Sequence, residues 1–138
     1  MSAMTRILRA LRIPLVTGLV LLAVSCRAGL VARYRIIEPD DIYALCLPES
    51  RPAWCVPRDT LIWITYTFSF GYVAFGAAAL AWLTRGRIAW WCAMLALSSG
   101  GIGLYLYQTG WSALGVLLGL LRLARLERKA SQPHELAA

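Results

Sequence analysis

The segment "CLPESRPAWC" sets Cys46 and Cys55 eight residues apart in the only long polar stretch of an otherwise apolar chain. Two thiols so placed can exchange disulfides with a partner, contribute to a metal site, or close a loop. A metal needs several ligands at one point. Cys26 and Cys92 fall in separate apolar stretches and His134, the one histidine, stands in a polar tail, so no metal site is expected and no cofactor is implied. A Cys46–Cys55 bond would close a ring of ten residues. In the chain-entropy model such a ring contributes roughly 2.5 to 3 kcal/mol, provided that the segment faces an oxidising space.

Hydroxyls supply the second cluster. Thr65, Ser69 and Tyr72 recur at i, i+4 and i+7, and Ser98 and Ser99 lie at a comparable depth in the next apolar stretch. Such a seam can line a polar cavity. The plainer reading is that these groups bond to the backbone or to a neighbouring helix, each contact contributing about 0.6 kcal/mol. Arg27 is the one charged residue within the three long apolar stretches, which makes it a functional candidate by default. It lies close enough to the end of that stretch to extend its guanidinium to the headgroups instead. No Asp, Glu or His accompanies it there, so a proton relay or an ion-coupled transporter lacks its parts. The chain carries no phosphate-binding glycine loop, no paired carboxylates facing a cleft and no Ser/His/Asp set.

The elements that must position these residues are membrane helices. With 59% hydrophobic and 15% charged residues and a mean hydropathy of +0.62, the chain departs from soluble domains, in which about a quarter of residues are charged. Apolar runs cover residues 13–32, 60–83 and 88–107, each near the roughly 20 residues that cross a hydrocarbon core. A fourth, 111–126, is shorter and relies on arginines that snorkel. The fold class is therefore all-α: a polytopic membrane protein, a four-helix transmembrane bundle forming a single membrane domain over 1–138. Residues 33–59 make one ordered extracytoplasmic loop and 127–138 a cytoplasmic tail. Within the loop, "EPDDIYALC" reads as a short surface helix, with Pro39 suited to its start and Asp40 and Asp41 complementing its N-terminal dipole.

Charge sets the topology. Arg6, Arg9, Arg12, Arg85, Arg87, Arg122, Arg125, Arg128 and Lys129 fall on one side of a four-span arrangement. On the other, Arg27, Arg33, Arg35, Arg51 and Arg58 are balanced by Glu38, Asp40, Asp41, Glu49 and Asp59. The positive-inside rule then places both termini in the cytoplasm. Trp82, Trp90 and Trp91 at one interface and Trp54, Trp63, Tyr105, Tyr107 and Trp111 at the other fit the same map. The net charge of +7 is accordingly a topology signal that also attracts anionic lipid, and no nucleic-acid recognition module is present. Arg122, Arg125 and Lys129 recur at helical spacing, which predicts a basic stripe resting on the headgroups.

The beginning of the chain admits two readings. Three arginines, an apolar run and "LLAVSC" suggest a lipoprotein signal cleaved before Cys26, whereas Ala23 and the following Arg27 favour an uncleaved first helix. Packing is signalled by small residues: Ser99 and Gly103, Gly115 and Gly119, and the row Ala74, Ala77, Ala78 and Ala81 let helix backbones approach closely.

Span count and a cysteine pair in the first outer loop resemble the four-span, quinone-linked disulfide oxidases. That resemblance implies exchange chemistry at Cys46 and Cys55. The sequence departs from it: those enzymes use a Cys-x-x-Cys pair and a second outer pair, and here the second outer connection, 108–110, holds no cysteine. The order Trp54-Cys55, a charged entry at Arg58-Asp59 and the "LYLYQTGW" turn ending at Trp111 resembles small four-span inner-membrane proteins of proteobacteria with no known activity. Thirteen Arg against one Lys suit a GC-rich bacterial genome.

These readings converge on a small bacterial inner-membrane protein. Its expected role is non-enzymatic, as an accessory or assembly subunit that packs against a larger membrane protein among membrane lipids. A membrane thiol–disulfide oxidoreductase using Cys46 and Cys55 is the alternative, and a lipid or small-molecule carrier using the hydroxyl seam is the third reading.

Overall fold

In a computed structural model the described residues are 3–46, 52–67 and 70–131, and among them the chain is all-α. Helix α1 (Ala3–Ala32) passes through Pro14 and Cys26 without interruption and runs on into a π-helical turn, Arg33–Ile37. Pro39 then precedes the short helix α2 (Asp40–Leu45), close to the start that its Pro-Asp-Asp sequence predicts. Helices α3 (Cys55–Thr67), α4 (Phe70–Leu83), α5 (Gly86–Tyr105) and α6 (Thr109–Ser131) follow.

Among the described residues three helical stretches are long and apolar enough to cross a membrane: Pro14–Ile37, Gly86–Tyr105 and Thr109–Lys129. A fourth arises if α3 and α4 are taken as one broken span. The first stretch is 24 residues long, about 36 Å at 1.5 Å per residue, and exceeds the roughly 30 Å of a hydrocarbon core. It outlasts the expected 13–32 because the π-helical turn prolongs it.

The expected span over 60–83 falls on α3 and α4, two helices whose axes diverge by 56°. Thr65 lies near the end of α3. Its hydroxyl donates to the Leu61 carbonyl at 2.7 Å, a back-bond that bends helices, and its carbonyl accepts the Gln108 side-chain amide at 3.4 Å.

Helices α1, α4, α5 and α6 pack together, with α5 against all three others, while α3 meets the π-helical turn. The core is built of small side chains. Ala74, Ala77, Ala78, Ala81, Ala89, Ala93 and Ala96 are buried, with Met94, Leu97 and Leu123 filling the larger gaps. Such small side chains let helix backbones approach closely. A Cβ on Gly115 would stand 2.7 Å from the Ala74 backbone, and one on Gly29 would stand 2.8 Å from the Ile102 carbonyl oxygen.

Candidate functional site

Cys46 follows the end of α2 and Cys55 opens α3, where its N–H donates to the Pro52 carbonyl at 3.0 Å. The two sulfurs lie 2.11 Å apart as a disulfide. Both residues are buried, Cys55 to 1% exposure. Exchange requires a thiolate to reach a disulfide sulfur along its axis, and burial of this kind shields the bond. The arrangement suits a clasp that ties α2 to the start of α3.

One turn further along α3, Arg58 is buried beneath the π-helical turn. Its Nε donates to the Ile36 carbonyl at 3.1 Å and an Nη to the Ile37 carbonyl at 3.3 Å. The last carbonyls of a helix carry the negative end of its dipole and lack intrahelical donors, so a guanidinium there is well matched. Sequence reading counts Arg58 only as a loop charge and misses this role.

The same end of the bundle carries a second tie. Arg33 Nε donates to Glu38 Oε1 at 2.7 Å, and the Tyr107 hydroxyl donates to the same oxygen at 3.0 Å. The Arg33 guanidinium also reaches the Tyr105 carbonyl at 3.4 Å and lies 4.6 Å from the centre of the Tyr107 ring. Tyr107 occupies the left-handed region at φ 64° in the turn after α5, a conformation that normally favours glycine or asparagine. The hydrogen bond from Arg33, and then that from Tyr107, hold the Glu38 carboxyl below the usual glutamate range. The bond to Glu38 likewise raises the Tyr107 phenol above its ordinary value.

At the opposite end, Arg122 corrects the reading of a basic stripe on the headgroups. It is 9% exposed, and its Nε and Nη2 donate to the Ala81 and Thr84 carbonyls, both at 2.7 Å. Arg122 thus completes the C-terminus of α4 from α6. Trp82, whose Nε1 donates to the Leu118 carbonyl at 3.2 Å, packs its ring 4.5 Å from the Arg125 guanidinium carbon. Glu127 accepts the Leu15 backbone N–H at 3.0 Å. Pro14 perturbs the local helical ladder, and a carboxylate from α6 meets the amide just beyond it.

The hydroxyl seam is not drawn together. Thr65 and Ser99 donate to the Leu61 and Leu95 carbonyls of their own helices, and Ser98 also donates to Leu95. Tyr72 is exposed with its ring 5.5 Å from that of Trp111, and Ser69 lies outside the described residues, as does His134. Arg27 is exposed on α1. The small residues pair as contacts between helices: Gly115 backs onto Ala74, Gly103 onto Ser112 Oγ, and Gly119 lies at ordinary contact distance from Ala93 and Ala96. Gln108 Oε1 and Ser112 Oγ are buried without a hydrogen-bond partner among the described residues.

No protein-family model, curated protein or solved structure matches this chain. Among the described residues no three His, Cys, Asp or Glu side chains converge on a point that could hold a metal.

Proposed function

We propose that this chain is a four-span bacterial inner-membrane protein, with both termini cytoplasmic and residues 33–59 forming a disulfide-closed extracytoplasmic loop. In this reading α3 and α4 together make the second span, kinked where α3 leaves the bundle. The basic residues flanking the helices support the orientation. The Cys46–Cys55 disulfide supports an oxidising outer space.

Its role is that of a non-enzymatic accessory or assembly subunit beside a larger membrane protein. The observation that carries this is the position of α3. That helix diverges from α4 by 56° and leaves Trp63 and Tyr66 exposed, Tyr66 to 81%. Aromatic residues with a polar tip are enriched where proteins meet. The buried disulfide supports a clasp over the oxidoreductase, and hydroxyls already bonded to their own helices give little support to a carrier.

The test is purification from native membranes in mild detergent, with identification of proteins held in stoichiometric amount. A defined partner, lost from Tyr66→Asp but kept by Leu117→Asp on α6, is the expected result. A monodisperse species with no partner would overturn the subunit role.

A further inference from the structure

Between the end of the first candidate span and the start of α3 lies a pocket of about 440 Å³, lined by Arg35, Ile36, Trp54, Pro57, Arg58 and Leu61. Its volume falls within the range of small-molecule sites. Four of the six lining residues are apolar or aromatic, and the other two are arginines. Arg58 is engaged with the Ile36 and Ile37 carbonyls and fixes one wall. Arg35 is exposed and makes no hydrogen bond or ion pair with a described residue. Trp54 is held next to the disulfide at Cys55. The pocket thus joins an available guanidinium, a structurally committed one and an apolar surface at the point where Pro14–Ile37 ends.

We infer that this pocket binds one membrane phospholipid, with Arg35 on the phosphate and Ile36, Trp54 and Leu61 along the first carbons of an acyl chain. This rests on the reading of the chain as a membrane protein. Charge complementarity selects the ligand. A guanidinium matches phosphate oxygens with paired donors, and an aromatic ring with a polar edge is suited to headgroup level. A fully apolar ligand would leave Arg35 unanswered, and a small anion would leave the apolar wall unfilled. Because both α3 and the π-helical turn line the pocket, a lipid seated there also fixes the angle at which α3 leaves the bundle.

The experiment uses the full chain, first tested for alkaline-resistant association with phosphatidylcholine vesicles. It is then stripped of lipid in mild detergent and titrated with dioleoyl phosphatidylglycerol, adducts being counted by native mass spectrometry. Glycerol phosphate and inorganic phosphate serve as chainless competitors. The expected result is one retained lipid that neither competitor displaces. Arg35→Gln weakens binding about tenfold, and so does Leu61→Trp, which fills the pocket and leaves both arginines in place. Arg85→Gln, an exposed arginine at the other end of the bundle, leaves it unchanged. Failure to associate with vesicles would overturn the membrane reading and the lipid site together. Stable association without a retained adduct would overturn the lipid site alone, as would wild-type binding by both pocket variants. Displacement by inorganic phosphate would make the pocket a simple anion site and contradict the inference.

Discussion

The bundle of α1, α4, α5 and α6 and the segment from the π-helical turn to α3 are held by different means. In the bundle, alanine and glycine bring backbones together, and two charged side chains from α6, Arg122 and Glu127, answer backbone groups on α4 and α1. In the segment from the π-helical turn to α3, a disulfide, the Arg58 guanidinium and the Arg33–Glu38–Tyr107 cluster join the pieces. Close packing is a property of many atoms at once, so disturbing it should unsettle the whole bundle. Discrete ties fail singly and locally. The contrast also suits the proposed roles, with a stable scaffold in the membrane and an adjustable element beside it.

The most damaging way to test that division is Gly115→Val. The new Cβ would meet the Ala74 backbone, which cannot move aside as a flexible side chain could. Overpacking of this kind costs about 3 kcal/mol. Thermal unfolding in detergent should show a single large fall in midpoint, with α4, α5 and α6 losing amide protection together. Next comes Arg122→Ala, which leaves the Ala81 and Thr84 carbonyls without their donors. Stranding them is expected to cost about 2 kcal/mol, with faster exchange concentrated at the end of α4. Arg122→Lys, which cannot present two donors in a planar fork, should recover only part of the loss.

Legibility in the sequence divides along the same line. The apolar runs, the small-residue contacts at Gly115 and Ala74, the helix after Pro39 and the Cys46–Cys55 pair are all readable from residue type and spacing, because each depends on local pattern. Arg58, Arg122 and Glu127 read only as charges near the ends of helices. Their real partners are backbone groups 21 to 112 residues away, which no spacing rule reveals. The angle between α3 and α4 is not legible either: the Thr65 back-bond is a local signal, but the Gln108 amide that meets the Thr65 carbonyl arrives from the α5–α6 turn. The uncharged sequence from Thr60 onward gives no sign of a boundary.

Smaller effects should separate the two regions further. Replacing Cys46 and Cys55 together with Ser removes the clasp and should raise amide exchange in α2 and the first turn of α3. Protection in α5 should stay as in the parent. If α5 also opened, the two regions would be one cooperative unit.

The mildest perturbation is acid. Because the Glu38 carboxyl is held below its ordinary range, its contribution is fully present above the pKa of an unfolded glutamate and is lost as pH falls through the lowered value. The raised Tyr107 phenol has the opposite sign: its contribution is present below the ordinary tyrosine pKa and lost as pH rises through the folded value. Exchange at the π-helical turn should therefore rise at both extremes, and Glu38→Gln should remove the acid limb. An acid limb unchanged in Glu38→Gln would place the sensitivity elsewhere.

Site-specific photo-crosslinking in native membranes tests the central claim most directly. One probe replaces Tyr66 on α3 and another replaces Leu117 on the exposed face of α6. The account predicts one discrete protein adduct from position 66 and only lipid adducts from position 117. Lipid alone at both positions, or the same protein adducts at both, would contradict it.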